Sequence, residues 1–220
     1  MPDQPSAPLR RVVVLAGGGS RRLGRDKLSA DLGDRTVLGA LLDGLRVVAP
    51  DAQVVVVGPP ERGAPGALVI QEDPPGGGPV AGLAAGLAAG LAAPTPEDDD
   101  LVAVLAGDQP FAAAALPMLA ATLAPTPNEP ARDLDGAIGV DADGRDQPLL
   151  AVYRTATLRR ALDGLAGGPG VTGARVRDLI ARLHLARVPL PDTATLDVDT
   201  AHDLERARAV VRREADARRP

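Results

Sequence analysis

Arg11-Val12-Val13-Val14-Leu15-Ala16-Gly17-Gly18-Gly19 reads as a buried strand running straight into a glycine loop. A short, continuous apolar run is the pattern of a parallel strand covered on both faces. Glycines at its end let the backbone bend sharply and turn its N–H groups toward a bound anion. With its strand taken as Arg11–Ala16, similar runs recur at Gln53–Val57, Ala67–Ile70 and Leu101–Ala106. Helical spacing is expected over Thr36–Val48, stopped near Pro50, then over Pro79–Ala93, closed by Pro94, and over Ala112–Leu123. A polar, proline-rich loop, Pro125–Arg132, precedes short strands at Gly136–Val140 and Leu149–Tyr153. Helices follow near Thr155–Leu165 and Ala174–Leu183, then strands at Leu185–Val188 and Thr195–Val198, and a charged helix from about Thr200. Alternation of this kind predicts an α/β fold, a Rossmann-like three-layer sandwich with a mostly parallel sheet. Residues 1–9 read as a disordered leader and 10–220 as a single domain.

Ligands of such sheets bind at the carboxyl ends of the strands. Gly17 and Asp108 both fall at such ends, which places them at one site. Within the helix expected from Pro79, AGLA recurs three times. Leu83, Leu87 and Leu91 then stack on one face and Gly82, Gly86 and Gly90 on another, a glycine stripe suited to close packing on the sheet.

Composition excludes several functions. A net charge of -5 and the lack of tryptophan, with one Tyr and one Phe, argue against nucleic-acid binding. The absence of cysteine removes disulfides, thiolate metal sites and cysteine nucleophiles. No apolar run approaches the roughly 20 residues that cross a bilayer, and residues 1–5 lack the pattern of a secretory signal. The expectation is a cytoplasmic protein, a monomer or weak homo-oligomer, without nucleic-acid or membrane partners. Of the 24 basic residues, Lys27 is the one lysine, and it stands just after the glycine loop. A compact ammonium fits between phosphate oxygens where the planar fork of arginine does not. The alternative is chance, since one lysine must fall somewhere.

Two familiar phosphate loops fail against Leu15-Ala16-Gly17-Gly18-Gly19-Ser20-Arg21-Arg22-Leu23-Gly24-Arg25-Asp26-Lys27. Gly19 and Gly24 have Walker spacing, but Arg25-Asp26 stand where Lys and Ser or Thr are needed. A dinucleotide fingerprint from Gly17 needs a sixth-position glycine, and Arg22 stands there. The stretch instead resembles the L-A-G-G-x-S-x-R-x-G-x-D-K signature of the molybdenum cofactor guanylyltransferases, within the nucleotidyltransferase superfamily. Glu72-Asp73-Pro74-Pro75-Gly76-Gly77-Gly78-Pro79-Val80-Ala81-Gly82 is similar to the family's acidic-then-G-P-x-A-G segment. Asp108-Gln109-Pro110-Phe111 is similar to its metal-binding D-x-P-F turn, and Gly144–Tyr153 to the segment before the acceptor side. Leu196-Asp197-Val198-Asp199-Thr200 resembles its late N-x-N-T or D-x-D-T turn.

The resemblance implies a nucleotide-diphospho-sugar transferase type of fold and Mg²⁺-dependent transfer of GMP from GTP to molybdopterin. It implies backbone contacts to the nucleotide from Leu15, Ala16, Gly17 and Gly18, and phosphate contacts from Lys27, aided by Arg21 or Arg22. Asp73 would read the guanine edge and Asp108 would ligate the metal, with Asp199 a second candidate ligand. There are two departures. Gly58-Pro59-Pro60 stands where the family often has Asn, and Asp197 and Asp199 replace the usual asparagines, as in cytidylyltransferase relatives. A cytidylyl or sugar-phosphate transferase, or a nucleotide-binding module without turnover, therefore stays open. Each acidic residue also has a local reading. Asp108 could cap the helix from Ala112, Asp73 could be a turn residue, and Asp197 and Asp199 a turn and a helix cap. His184 and His202 lack ligand spacing, and Asp98-Asp99-Asp100 reads as a solvated loop.

Overall fold

The computed structural model describes residues 7–17, 26–90, 97–124, 133–168 and 170–217. The apolar runs become strands β1 (Leu9–Leu15), β2 (Gln53–Val57), β3 (Leu68–Ile70), β4 (Leu101–Ala106), β5 (Gly136–Val140), β6 (Asp146–Arg154) and β7 (Leu185–Pro189). They form one sheet in the order β3-β2-β1-β4-β6-β5-β7. Every neighbouring pair is parallel except those of β6, which runs against β4 and β5.

The helices are α1 (Val37–Val48), α2 (Pro79–Ala88), α3 (Leu116–Thr122), α4 (Thr155–Ala166), α5 (Val176–Ile180) and α6 (Ala201–Ala217). Strand alternation divides the core. Val12, Val14 and Val56 meet Leu41 and Leu45 of α1, Leu119 of α3 and Leu204 of α6 on one face. On the other, Val13, Val55 and Val57 meet Leu83 and Leu87 of α2, Leu162 of α4 and Leu179 of α5. The result is a three-layer sandwich, as the alternation predicts.

Gly82 and Gly86 pack against β1 and β2, whereas Gly90 lies beyond the end of α2 and Leu91 outside the described residues. A Cβ at Gly86 would stand 2.5 Å from Val13 Cγ1, whereas one at Gly82 would meet the flexible end of Leu15 at 3.2 Å and Val57 Cγ1 at an ordinary 3.5 Å. Gly86→Ala is therefore expected to destabilise by about 2 kcal/mol, overpacking outweighing the helix preference for alanine, and Gly82→Ala by less. Urea denaturation of the two variants checks the ranking.

Several boundaries differ from expectation, each for a local reason. β1 starts two residues early, at Leu9, where the Leu101 N–H donates to the Pro8 carbonyl. α2 stops at Ala88, short of Pro94. The Arg11 guanidinium, fully buried, donates to the carbonyls of Gly86 (3.3 Å) and Leu87 (2.6 Å) and so takes up the helix end. Its other nitrogen donates to Gln53 Oε1 at 2.6 Å. The helix expected over Ala112–Leu123 begins with a 3₁₀ turn, Ala112–Ala115, before Pro117 in the first turn of α3. α5 is only five residues long. Thr195–Val198 is not a strand. Leu196 and Val198 bury themselves in the core, and the Val198 N–H donates to the Asp108 carbonyl at 3.0 Å instead of to a neighbouring strand. Asp100 departs from the solvated loop. It is buried, and its carboxylate accepts from the Glu97 N–H. The loop Pro125–Arg132 lies outside the described residues.

Candidate active site

The loops that leave the carboxyl ends of β1, β2, β3 and β4 are drawn together by main-chain bonds. Ala16 N–H donates to Val57 O (2.7 Å), Gly58 N–H to Ile70 O (2.8 Å) and Gly107 N–H to Leu15 O (2.9 Å). They enclose a cleft of about 640 Å³ whose lining includes Leu15, Ala16, Gly17, Lys27, Glu72 and Asp108. It runs from the β3 side, at Glu72, to the β4 side, at Asp108. Three inter-strand steps separate those ends, roughly 14 Å. Gly58 also lines the cleft, and a Cβ there would come within 2.9 Å of the Ala16 carbonyl oxygen. Any larger residue, the Asn of the resemblance included, would have to shift this backbone.

The charged groups gather at the β4 end. Lys27 Nζ donates to Asp108 Oδ2 and, at 2.7 Å, to Asp199 Oδ1. The lysine and Asp108 are about four-fifths buried, Asp199 more open. These residues lie 81 and 172 positions from Lys27, so only the fold unites them. The Val198–Asp108 main-chain bond holds the late turn against the β4 turn. Burial opposes the charge on Lys27, but its bonds to Asp108 and Asp199 prevail and raise its pKa. Asp197 beside them is pushed up by burial and by the charges of Asp199 and Asp108.

Neither acidic partner serves as a helix cap. The turn at Ala112 has no side-chain cap. At α6, Thr200 and Asp203 cap reciprocally, the Asp203 N–H donating to Thr200 Oγ1 and the Thr200 N–H to Asp203 Oδ2. Asp108 and Asp199 are thus left to Lys27 or to a ligand. Among the described residues no three His, Cys, Asp or Glu stand together as a metal cage.

Asp73, expected at the base, lies beside the cleft rather than in its lining. It is exposed, and its neighbour Glu72 stands in the lining instead. Glu72 turns back so that Oε1 accepts the Gly76 N–H at 3.0 Å, and Asp73 faces outward. A sequence shows two adjacent acids but not which one turns in. Gly18, Arg21 and Arg22 lie outside the described residues. His184 ties the loop at Asp133 and Asp135 through its ring and main chain, away from the cleft.

The lysine is approached through Asp26, the cap of the 3₁₀ turn Lys27–Ser29. Its carboxylate accepts from the Leu28 N–H (3.3 Å), from Ser29 Oγ (2.6 Å) and from Arg62 Nη1. The Arg62 bond is the main cause that holds Asp26 below the ordinary 3.8, against a desolvation that raises it. A depressed carboxyl pKa gives stability that is present above the unfolded value and lost as pH falls through the folded one. Asp26→Asn, which keeps the cap, should melt below the wild type at neutral pH. The gap should narrow as pH falls below the ordinary carboxylate range and Asp26 takes up its proton. Thermal melts at neutral and acidic pH check this.

A family model, the MobA-like NTP transferase domain, matches residues 12–187. The chain belongs to this family. No protein of curated function matches it. Among solved structures, the transferase resembles the homologue of Mycobacterium tuberculosis rv0371c from Mycobacterium sp. strain JC1, at 29% identity and a TM-score of 0.64, over 93% of this chain and 99% of that one. It shares its fold with molybdopterin-guanine dinucleotide biosynthesis protein A of Archaeoglobus fulgidus, at 20% identity and a TM-score of 0.60, over 92% and 99%. The 2-C-methyl-D-erythritol 4-phosphate cytidylyltransferase of Thermus thermophilus is similar at 23% identity and a TM-score of 0.62, over 93% and 100%. The fold is that of the nucleotidyltransferases, and the family membership of the transferase supports nucleotidyl transfer as its chemistry.

Proposed function

We propose that the protein transfers GMP from GTP to the phosphate of molybdopterin, with Mg²⁺, and releases pyrophosphate. The observation that carries the reading is the convergence of Lys27, Asp108 and Asp199 at one end of a cleft whose other end holds Glu72. Glu72, in place of Asp73, meets the base. A carboxylate can accept from both the ring N–H and the exocyclic amine on one edge of guanine, two donors that uracil and cytosine do not offer side by side. The main chain of Leu15, Ala16 and Gly17 walls the nucleotide between the two ends.

Mg²⁺ favours oxygen ligands and takes one or two protein carboxylates together with substrate phosphates. Asp108 and Asp199 are such a pair: both are free of caps and both face one cation already, the Lys27 ammonium. The residues therefore fit the ion, which when bound would neutralise the facing phosphates and draw them together. Lys27 would then turn to the phosphates and stabilise the charge gathering on the departing pyrophosphate. No strong base is needed from the chain, because a phosphomonoester with a second pKa of about 6 is already ionised at neutral pH.

A second reading, cytidylyl transfer, is favoured by the Asp197-Val198-Asp199 turn, which the fold brings to the site in the form shared with cytidylyltransferase relatives. Pyrophosphate release from each of the four ribonucleoside triphosphates, with Mg²⁺ and molybdopterin supplied, separates the two. The proposal expects release with GTP. Release with CTP alone moves the base assignment away from Glu72, and release with none rejects the acceptor.

A further inference from the structure

Lys27 must be aimed, and the loop after β2 does part of the aiming. That loop carries Gly58 and Pro59 into the cleft wall and then forms the 3₁₀ turn Pro60–Arg62. From this turn the Arg62 side chain reaches across to Asp26, 36 residues earlier. It is only 10% exposed, and its Nε is buried without a hydrogen-bond partner.

Stability alone is a poor reason for this arrangement. An ion pair with one partner open to solvent contributes little to stability. Leaving the buried Nε of its guanidinium without a partner costs more than that pair returns. An arginine held at such a cost, bonded to the residue before the site lysine, has its use in geometry. Asp26 is fixed from three directions, by the Leu28 N–H, the Ser29 hydroxyl and Arg62. The first two lie within the turn that carries Lys27. Of these three bonds, the one to Arg62 leaves the turn and ties it to the loop after β2.

Resting on the reading above, we infer that Arg62 is a positioning residue: through Asp26 it sets where Lys27 stands relative to the phosphates. Its hydrogen bond goes to Asp26 and not to Lys27, and on this account it does not reach the reacting atoms. Loss of the tie lets the turn relax by a fraction of its length, and displacement on the order of 1 Å is enough to cost up to about 10²-fold in rate. The effect falls on turnover, because Lys27 works hardest as charge builds on the leaving group.

The test is a double-mutant cycle in the full chain, Arg62→Gln crossed with Lys27→Ala, with Arg62→Lys as the conservative control and thermal melts on all variants. Arg62→Gln should lower kcat roughly 10- to 100-fold with KM for the nucleotide within about 3-fold. Arg62→Lys should recover most of the loss. In the Lys27→Ala background Arg62→Gln should cost nothing further, since a residue acting through the lysine has nothing left to act on. Undiminished kcat in Arg62→Gln, or a full additional loss in the Lys27→Ala background, overturns the inference while leaving the role of Lys27 intact. Wild-type turnover in Lys27→Ala itself overturns the underlying reading as well. Asp26→Asn provides the same comparison if Arg62→Gln melts too low to assay.

Discussion

Lys27→Ala should lower turnover by about 10²-fold or more while tightening the binding of Mn²⁺, used as a probe for Mg²⁺, in the absence of nucleotide. The two effects have one cause. Lys27 Nζ bonds both Asp108 and Asp199, so the ammonium occupies the pair that a divalent cation would need. Removing it leaves two partly buried carboxylates without their counter-ion, and their affinity for a cation rises. Turnover falls because the same ammonium no longer meets the charge on the leaving pyrophosphate. Steady-state kinetics and Mn²⁺ titration by electron paramagnetic resonance read the two effects separately. Weaker Mn²⁺ binding in the variant would show that the carboxylates do not form the cation site.

Asp108→Asn is expected to show the opposite pattern on the metal and a larger loss of rate. The amide keeps the size of the side chain but removes one of the two charges, so nucleotide-free Mn²⁺ binding should weaken. Turnover should fall on the order of 10³-fold, a few kcal/mol of transition-state stabilisation. The fold should survive, since Asp108 caps no helix and its structural bond, accepting from the Val198 N–H, uses the main-chain carbonyl. An unchanged melting temperature beside a collapsed kcat separates loss of chemistry from loss of structure. Asp199, more exposed than Asp108, should give a smaller loss when changed to Asn.

Much of this architecture is legible in the amino-acid sequence, because the strands are short runs of valine, leucine and alanine and the breaks between them are glycine and proline. Lys27 is legible for a different reason, since a chain otherwise committed to arginine keeps one lysine behind its glycine loop. What the sequence hides is adjacency. Nothing in the spacing says that β4 lies beside β1, or that a turn near residue 199 folds back onto residue 108, and so the triad of Lys27, Asp108 and Asp199 emerges only in three dimensions. Side-chain direction is hidden too. Glu72 and Asp73 are indistinguishable as adjacent acids until a turn points one of them inward. Thr195–Val198 alternates like a strand, yet its apolar residues fill the core beside α6 with no strand to pair with. Arg11 looks like the polar edge of an apolar run, and its role in ending α2 depends on carbonyls 75 and 76 residues away. Arg62 gives no signal at all, since its partner lies in another loop.

The central claim is that the Lys27 end of the cleft holds the phosphates of a nucleotide whose α-phosphorus is attacked by a phosphorylated acceptor. Label tracing tests it most directly: GTP carrying radiolabel at the α- or the γ-phosphate is incubated with the protein, Mg²⁺ and molybdopterin, and the products are separated. The expected result is that α-label enters a dinucleotide joined to the acceptor and that γ-label leaves as pyrophosphate. Appearance of γ-label in the acceptor, or as free inorganic phosphate without a dinucleotide, would contradict the claim.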